Sequence, residues 1–271
     1  MPTFVRDDVT LHYEIEGSGP PLLLLAGMLS DSATWAAIVP LLSNRFTVIR
    51  PDNRTTGRTV PWNAPADGAR MAEDAAALMV HLRYDRFHVA GHSLGGLLAM
   101  EIACAQPSCV ASLSVLASSW TPSPRTIAVF DALLAVRSAP AGEELWLRVL
   151  YPWIFGPAFF EAPENANAAL EAALAYPHAQ SHAAMAHQIS AFKAFKPKAT
   201  PEMILCPTLV IYAGQDILAP PDEARRHFAR IAKLAEVTVE GAGHAVMWDA
   251  PDTTARCIAE FITDALTKKD P

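Results

Sequence analysis

Ser93, Asp216 and His244 are the side chains of this 271-residue chain whose types and positions could together perform nucleophilic chemistry. A serine hydroxyl attacks poorly until a base takes its proton, and that base works best when a carboxylate fixes its tautomer and balances the charge it gains. Ser93 sits at the centre of Gly91, His92, Ser93, Leu94 and Gly95, between the apolar run 86–90 and a second one over 94–105. A strand that turns sharply into a helix lifts one side chain clear of the sheet, and glycines at 91 and 95 remove Cβ atoms that would collide in the bend. Unpaired N–H groups and the positive dipole end at the helix start would then lie beside the hydroxyl, suited to a developing oxyanion. The same five-residue pattern occurs in ordinary glycine turns. The preceding strand and the all-round apolar helix after it are what favour the chemical reading.

The base and the acid have to come from loops that follow strands, because reactive groups in open α/β sheets gather beyond the carboxyl ends of the strands. Strand 208–213 leads into Gly214, Gln215 and Asp216, and strand 236–240 leads into Gly241, Ala242, Gly243 and His244. Ser93, Asp216 and His244 thus follow in the order serine, acid, histidine. Asp52 also follows a strand, 46–50, but Arg54 and Arg58 beside it point to a loop ion pair. Asp249 comes after His244, near a helix start, and ranks below Asp216. His92 precedes the serine, and the alternation of a strand turns its side chain away into the scaffold, as packing or support. His178, His182 and His187 fall in a helical stretch and read as a solvated face, with substrate contact as the alternative.

Strand-like and helical segments alternate along the chain, which calls for a mostly parallel sheet covered on both faces. Strand 9–16, turn 17–21 and apolar strand 22–26 predict an antiparallel hairpin at the start of the sheet. Asp31 or Ser32 can cap a helix running through Leu42, before strand 46–50. Met71, Ala75, Leu78, Met79 and Leu82 form one apolar stripe at helical period. Strand 110–117 follows the helix after Ser93. Between 118 and 207 the alternation gives way to helical patterns with Trp120, Trp146, Tyr151, Trp153, Phe155, Phe159, Phe160, Phe192 and Phe195, which read as an inserted helical cap. The expected division is therefore a core of 1–117 and 208–271 split around a cap of 118–207. Ile258, Phe261, Ile262 and Ala265 give the last helix its buried face.

Composition narrows the function. The net charge of −7, without a cluster of Lys and Arg, argues against nucleic acid or an anionic membrane as partner and favours a small substrate. The chain is 51% hydrophobic with a mean hydropathy of +0.18, yet its longest apolar run, 22–29, is far short of the roughly 20 residues that span a bilayer. The first ten residues lack a basic region followed by an apolar segment, so a cytoplasmic location is expected. Cys104, Cys109, Cys206 and Cys257 are scattered without metal-ligand spacing and read as reduced, buried packing residues. With no metal or nucleotide motif, no cofactor and no metal are expected.

These residues resemble the α/β-hydrolase superfamily, in its group of small ester, lactone and carbon–carbon bond hydrolases with a helical cap. The likeness rests on GHSLGG at 91–96, on RPDNRTTGRT at 50–59, which is similar to the family's DxRGxGxS loop, on GQDILAP at 214–220 and on GAGHAVMWDAPD at 241–252. It implies an α/β fold with a mostly parallel eight-stranded sheet, helices on both faces and an inserted helical cap. It also implies that Ser93, His244 and Asp216 form a triad and that the backbone N–H groups of Met28 and Leu94 form the oxyanion hole. Two positions depart from the family pattern: Ala26 stands where relatives carry His before Gly27, and Thr55 replaces a loop glycine. The function so implied is hydrolysis of a small ester or lactone with an apolar or aromatic acyl group, through an acyl-enzyme. Carbon–carbon bond hydrolysis, perhydrolysis, hydrolysis of small amides or carbamates, acyl transfer and a ligand sensor that keeps the triad are the alternatives. A homo-oligomer is left open.

Overall fold

The computed structural model describes residues 2–267; residue 1 and residues 268–271, at the ends of the expected core, lie outside the described residues. Strands β1 (Thr3–Arg6), β2 (Val9–Glu16), β3 (Pro21–Leu25), β4 (Thr47–Pro51), β5 (Phe87–His92), β6 (Val110–Leu116), β7 (Thr208–Ala213) and β8 (Leu234–Val239) form one sheet in the order β1-β2-β4-β3-β5-β6-β7-β8. β2 runs antiparallel to β1 and β4, and the pairings from β4 across to β8 are parallel.

This order corrects the expected hairpin. β2 and β3 are not neighbours, since β4 lies between them, and the opening hairpin is β1 with β2. The physical reason lies in β3, where Leu22 to Leu25 are all fully buried. A run that is apolar on both faces belongs inside a parallel sheet, flanked by parallel strands, whereas the more polar β2 suits the antiparallel side.

Helices α1 (Val39–Leu42), α2 (Gly68–His81) and α3 (Leu94–Ala105) lie in the first half of the chain. Between β6 and β7 come α4 (Pro124–Arg137), α5 (Gly142–Ile154), α6 (Pro157–Glu161), α7 (Pro163–Ala175) and α8 (His182–Ala194). α9 (Pro221–Phe228), α10 (Val246–Asp249) and α11 (Pro251–Thr267) complete it. The helix expected over 32–42 is instead a 3₁₀ turn, Ser32–Trp35, followed by α1. Asp31 does cap the turn, accepting from Ala33 N–H at 2.9 Å, but Pro40 has no N–H to continue a helical ladder and its ring crowds the preceding turn.

Period-two alternation divides the core between the two faces of the sheet. Leu23, Leu25, Val89, Leu113 and Val210 face α2 and α3, with Phe130, Met185 and Phe192 of α4 and α8 joining the same cluster. Leu22, Leu24, Ala90, Leu116 and Ile211 face Trp35, α1 and Ile258 and Ile262 of α11. α3 is buried along most of its length, as its all-round apolar sequence requires. Of the four cysteines, Cys206 is buried; Cys104, Cys109 and Cys257 are half-buried, which corrects the expectation of buried packing for them, and all four are free thiols. No helix among the described residues is long and apolar enough to cross a membrane.

Candidate active site

Ser93 occupies the turn between β5 and α3 with φ +53°, in the left-handed region that L residues rarely adopt. The bend is held from several sides. Ser93 N–H donates to Leu116 O at 3.0 Å, and Ser118 Oγ donates to Ser93 O at 2.7 Å. A Cβ at Gly91 would stand 2.0 Å from Gly95 O, and one at Gly95 would stand 2.0 Å from Leu25 O, so both positions need glycine. Strain of this kind persists only where the surroundings over-determine it.

The loops after β7 and β8 bring the other two side chains to this turn. His244 Nε2 lies 2.9 Å from Ser93 Oγ, and His244 Nδ1 lies 2.8 Å from Asp216 Oδ2. The second oxygen, Asp216 Oδ1, accepts from the N–H groups of Leu218 and Ala219, each at 2.8 Å. Burial raises the pKa of a carboxyl, but the His244 ring and these two N–H groups together outweigh it and hold Asp216 below the ordinary carboxylate range. Asp216 is therefore an anion, which directs the Nδ1 proton of His244 toward itself and leaves Nε2 to accept from the serine.

Met28 follows β3 in the loop that faces this site, and Leu94 opens α3, where the first N–H groups have no intrahelical acceptor. Ser93 and His244 open into a chamber of about 160 Å³ walled by Met28, Phe130, Leu150, Ile154 and Phe155. A second cavity of about 530 Å³ adjoins it and shares Leu29, Ser30, Thr34, Phe155 and Trp248. Its walls come from α5, α7 and the loop before α8, including Trp146, Tyr151 and Tyr176.

Residues 22–256 match the family model described as the alpha/beta hydrolase family. The chain belongs to the alpha/beta hydrolase family. It is 28% identical over 262 residues to a candidate carbamate hydrolase, RutD, of Agrobacterium fabrum, covering 94% of this chain and 99% of that one. Among solved structures it is similar to a thermophilic esterase from Thermogutta terrifontis, with 25% identity, 95% and 94% of the two chains covered, and a TM-score of 0.79. The enol-lactonase from Burkholderia xenovorans LB400 has a TM-score of 0.83 over 97% and 100% of the chains at 23% identity, a likeness of fold alone.

The other sequence candidates of this alpha/beta hydrolase have different work. Asp52 is fully buried; it accepts from Ser32 and Arg58 N–H and pairs with Arg58, while Arg54 turns away to Asp74 and Asp8. The loop ion pair expected for Asp52 thus forms, and Arg58 is its partner. His92 does not turn away from the site: its ring stands 4.8 Å from that of His244. Asp249 Oδ2 accepts from Gly156 and Gly243 N–H, and Asp249 does not reach the histidine ring. His178 lines the larger cavity, whereas His182 meets Ser138 and His187 meets Ala64 O. Gln188 of α8 accepts from Leu29 N–H, 159 positions away in sequence, a contact that leaves no signal in the chain itself.

Proposed function

We propose that this alpha/beta hydrolase is a serine hydrolase that cleaves a small ester or lactone through an acyl-enzyme. The observation that carries the reading is the bridging position of His244, with one ring nitrogen on Ser93 Oγ and the other on the buried Asp216 carboxylate. Ser93 Oγ attacks the carbonyl carbon while Nε2 takes the hydroxyl proton, and the oxyanion lies against the N–H groups of Met28 and Leu94. When the tetrahedral intermediate collapses, the imidazolium returns that proton to the departing alkoxide. Water then loses a proton to His244 and attacks the acyl carbon; as the bond to Ser93 breaks, His244 hands that proton to Oγ, releasing the acid and regenerating Ser93. Asp216 stays ionised throughout and balances the imidazolium.

The apolar chamber around Ser93 favours a small apolar or aromatic acyl group, and none of these steps calls for a metal or organic cofactor. A second reading, cleavage of a carbamate or small amide, is favoured by the similarity to RutD and uses the same groups, His244 protonating a departing nitrogen. A screen of short and medium acyl esters, lactones and carbamates, with Ser93→Ala as the blank, tests the choice. Repeated turnover of esters or lactones supports the first reading, and turnover confined to carbamates replaces it with the second. A single slow labelling of Ser93 without turnover would overturn both in favour of a ligand receptor.

A further inference from the structure

The loop that carries Met28 follows β3 and has Ala26 before Gly27. It also contains a strained residue. Leu29 sits at φ +61°, where a side chain is disfavoured unless its neighbours hold it. The peptide that presents Met28 N–H joins Gly27 to Met28, and the peptides on either side of it are tethered. Asn53 Nδ2 donates to Ala26 O at 3.4 Å, Ser30 Oγ to Met28 O at 3.3 Å, and Leu29 N–H donates to Gln188 Oε1 at 2.9 Å.

We propose that Gln188, from α8, is a positioning residue of the oxyanion hole: it holds Leu29 in its left-handed conformation and so aims the N–H of Met28. This rests on the serine-hydrolase reading above. Gln188 is fully buried, and its Nε2 has no hydrogen-bond partner among the described residues. An apolar side chain of the same size would fill that space without an unpaired amide nitrogen but would take away the acceptor of Leu29 N–H, so what the amide contributes is its oxygen. That oxygen also accepts from Gln180 Nε2 at 3.2 Å, and Gln180 reaches Thr55 O at 2.9 Å. Thr55 is itself at φ +77°, in the left-handed region. Two side chains from the helical region thus brace two core loops that each hold a residue in the left-handed region.

The test is steady-state hydrolysis of a p-nitrophenyl ester by Gln188→Met, which keeps the volume and removes the acceptor. Loss of a whole oxyanion donor costs about 10²- to 10³-fold, so a misaimed one is expected to lower kcat by about 10- to 100-fold with KM within about twofold. An arylboronic acid, which forms a tetrahedral adduct on serine, should bind more weakly by a similar factor, while a carboxylate product binds as before. Unchanged kcat, a rise in KM alone, or equal weakening of boronate and carboxylate would each overturn the proposal. If Gln188→Met does not fold, Gln188→Asn, one methylene too short to reach Leu29, is read in the same way. Ser93→Ala is measured alongside. Activity retained there removes the serine reading itself, whereas an inactive Ser93→Ala beside a wild-type Gln188→Met removes this inference alone.

Discussion

His92 donates its Nε2–H to the main-chain carbonyl of His244 over 2.8 Å, which places a second imidazole 4.8 Å from the one that faces Ser93, tilted by 55°. A carbonyl only accepts, so the ring carries its proton on Nε2. Burial, with His244 alongside, pushes the His92 pKa down to about 3. His92 is accordingly a neutral strut under the backbone of His244, and it does not serve as a base.

Stability should report this neutrality. A folded pKa near 3 against an ordinary value of 6.5 means that the unfolded chain takes up a proton the folded chain refuses. The contribution is fully present above about pH 6.5 and is lost as pH falls toward 3. In urea unfolding, the stability difference between the wild type and His92→Asn should narrow by about 2 kcal/mol between pH 7.5 and pH 5. A difference independent of pH would contradict the assignment.

Asp249 joins the end of α5 to the loop that carries His244, because its Oδ2 accepts from Gly156 N–H at 2.8 Å and from Gly243 N–H at 2.7 Å. Burial raises its pKa in spite of these two donors, so a neutral acceptor should serve nearly as well. Asp249→Asn is expected to cost under about 1 kcal/mol, and Asp249→Ala, which strands two donors, about 2–4 kcal/mol. Equal losses in urea unfolding would mean that the charge matters more than the acceptor.

The nucleophile turn should be intolerant of one methyl group. Gly91→Ala puts a Cβ against the Gly95 carbonyl, backbone on backbone, and should leave the protein insoluble or destabilised by more than about 4 kcal/mol. Gly241, at φ +76° with nothing within 4 Å of an added Cβ, is the control: Gly241→Ala should cost only about 1–2 kcal/mol of left-handed strain. Comparable effects in the two variants, measured by soluble yield and thermal unfolding, would argue against close packing at Gly91.

The convergence of Ser93, Asp216 and His244 was legible because each lies at or in the loop after the end of a strand, and strand ends point to one edge of a parallel sheet whatever the order of the strands. The order itself was less legible. β2 and β3 are adjacent in sequence and read as a hairpin, but nothing local records that β4 comes between them. β1 leaves no mark in the sequence because its four residues are partly or fully exposed, Val5 among them, so no buried alternation signals it. The braces of the site were illegible for a related reason. Gln188 on Leu29, His92 on His244 and Asp249 on Gly156 each act on a main-chain group far along the chain, and a main-chain group carries no sequence signature.

Ser93→Ala is the most direct test of the whole reading. With a p-nitrophenyl ester, rapid quenching and intact-mass analysis of the wild type should reveal one acyl group on the peptide that contains Ser93, and Ser93→Ala should lack that adduct and lose several orders of magnitude in kcat. Full activity in Ser93→Ala would show that this serine is not the nucleophile.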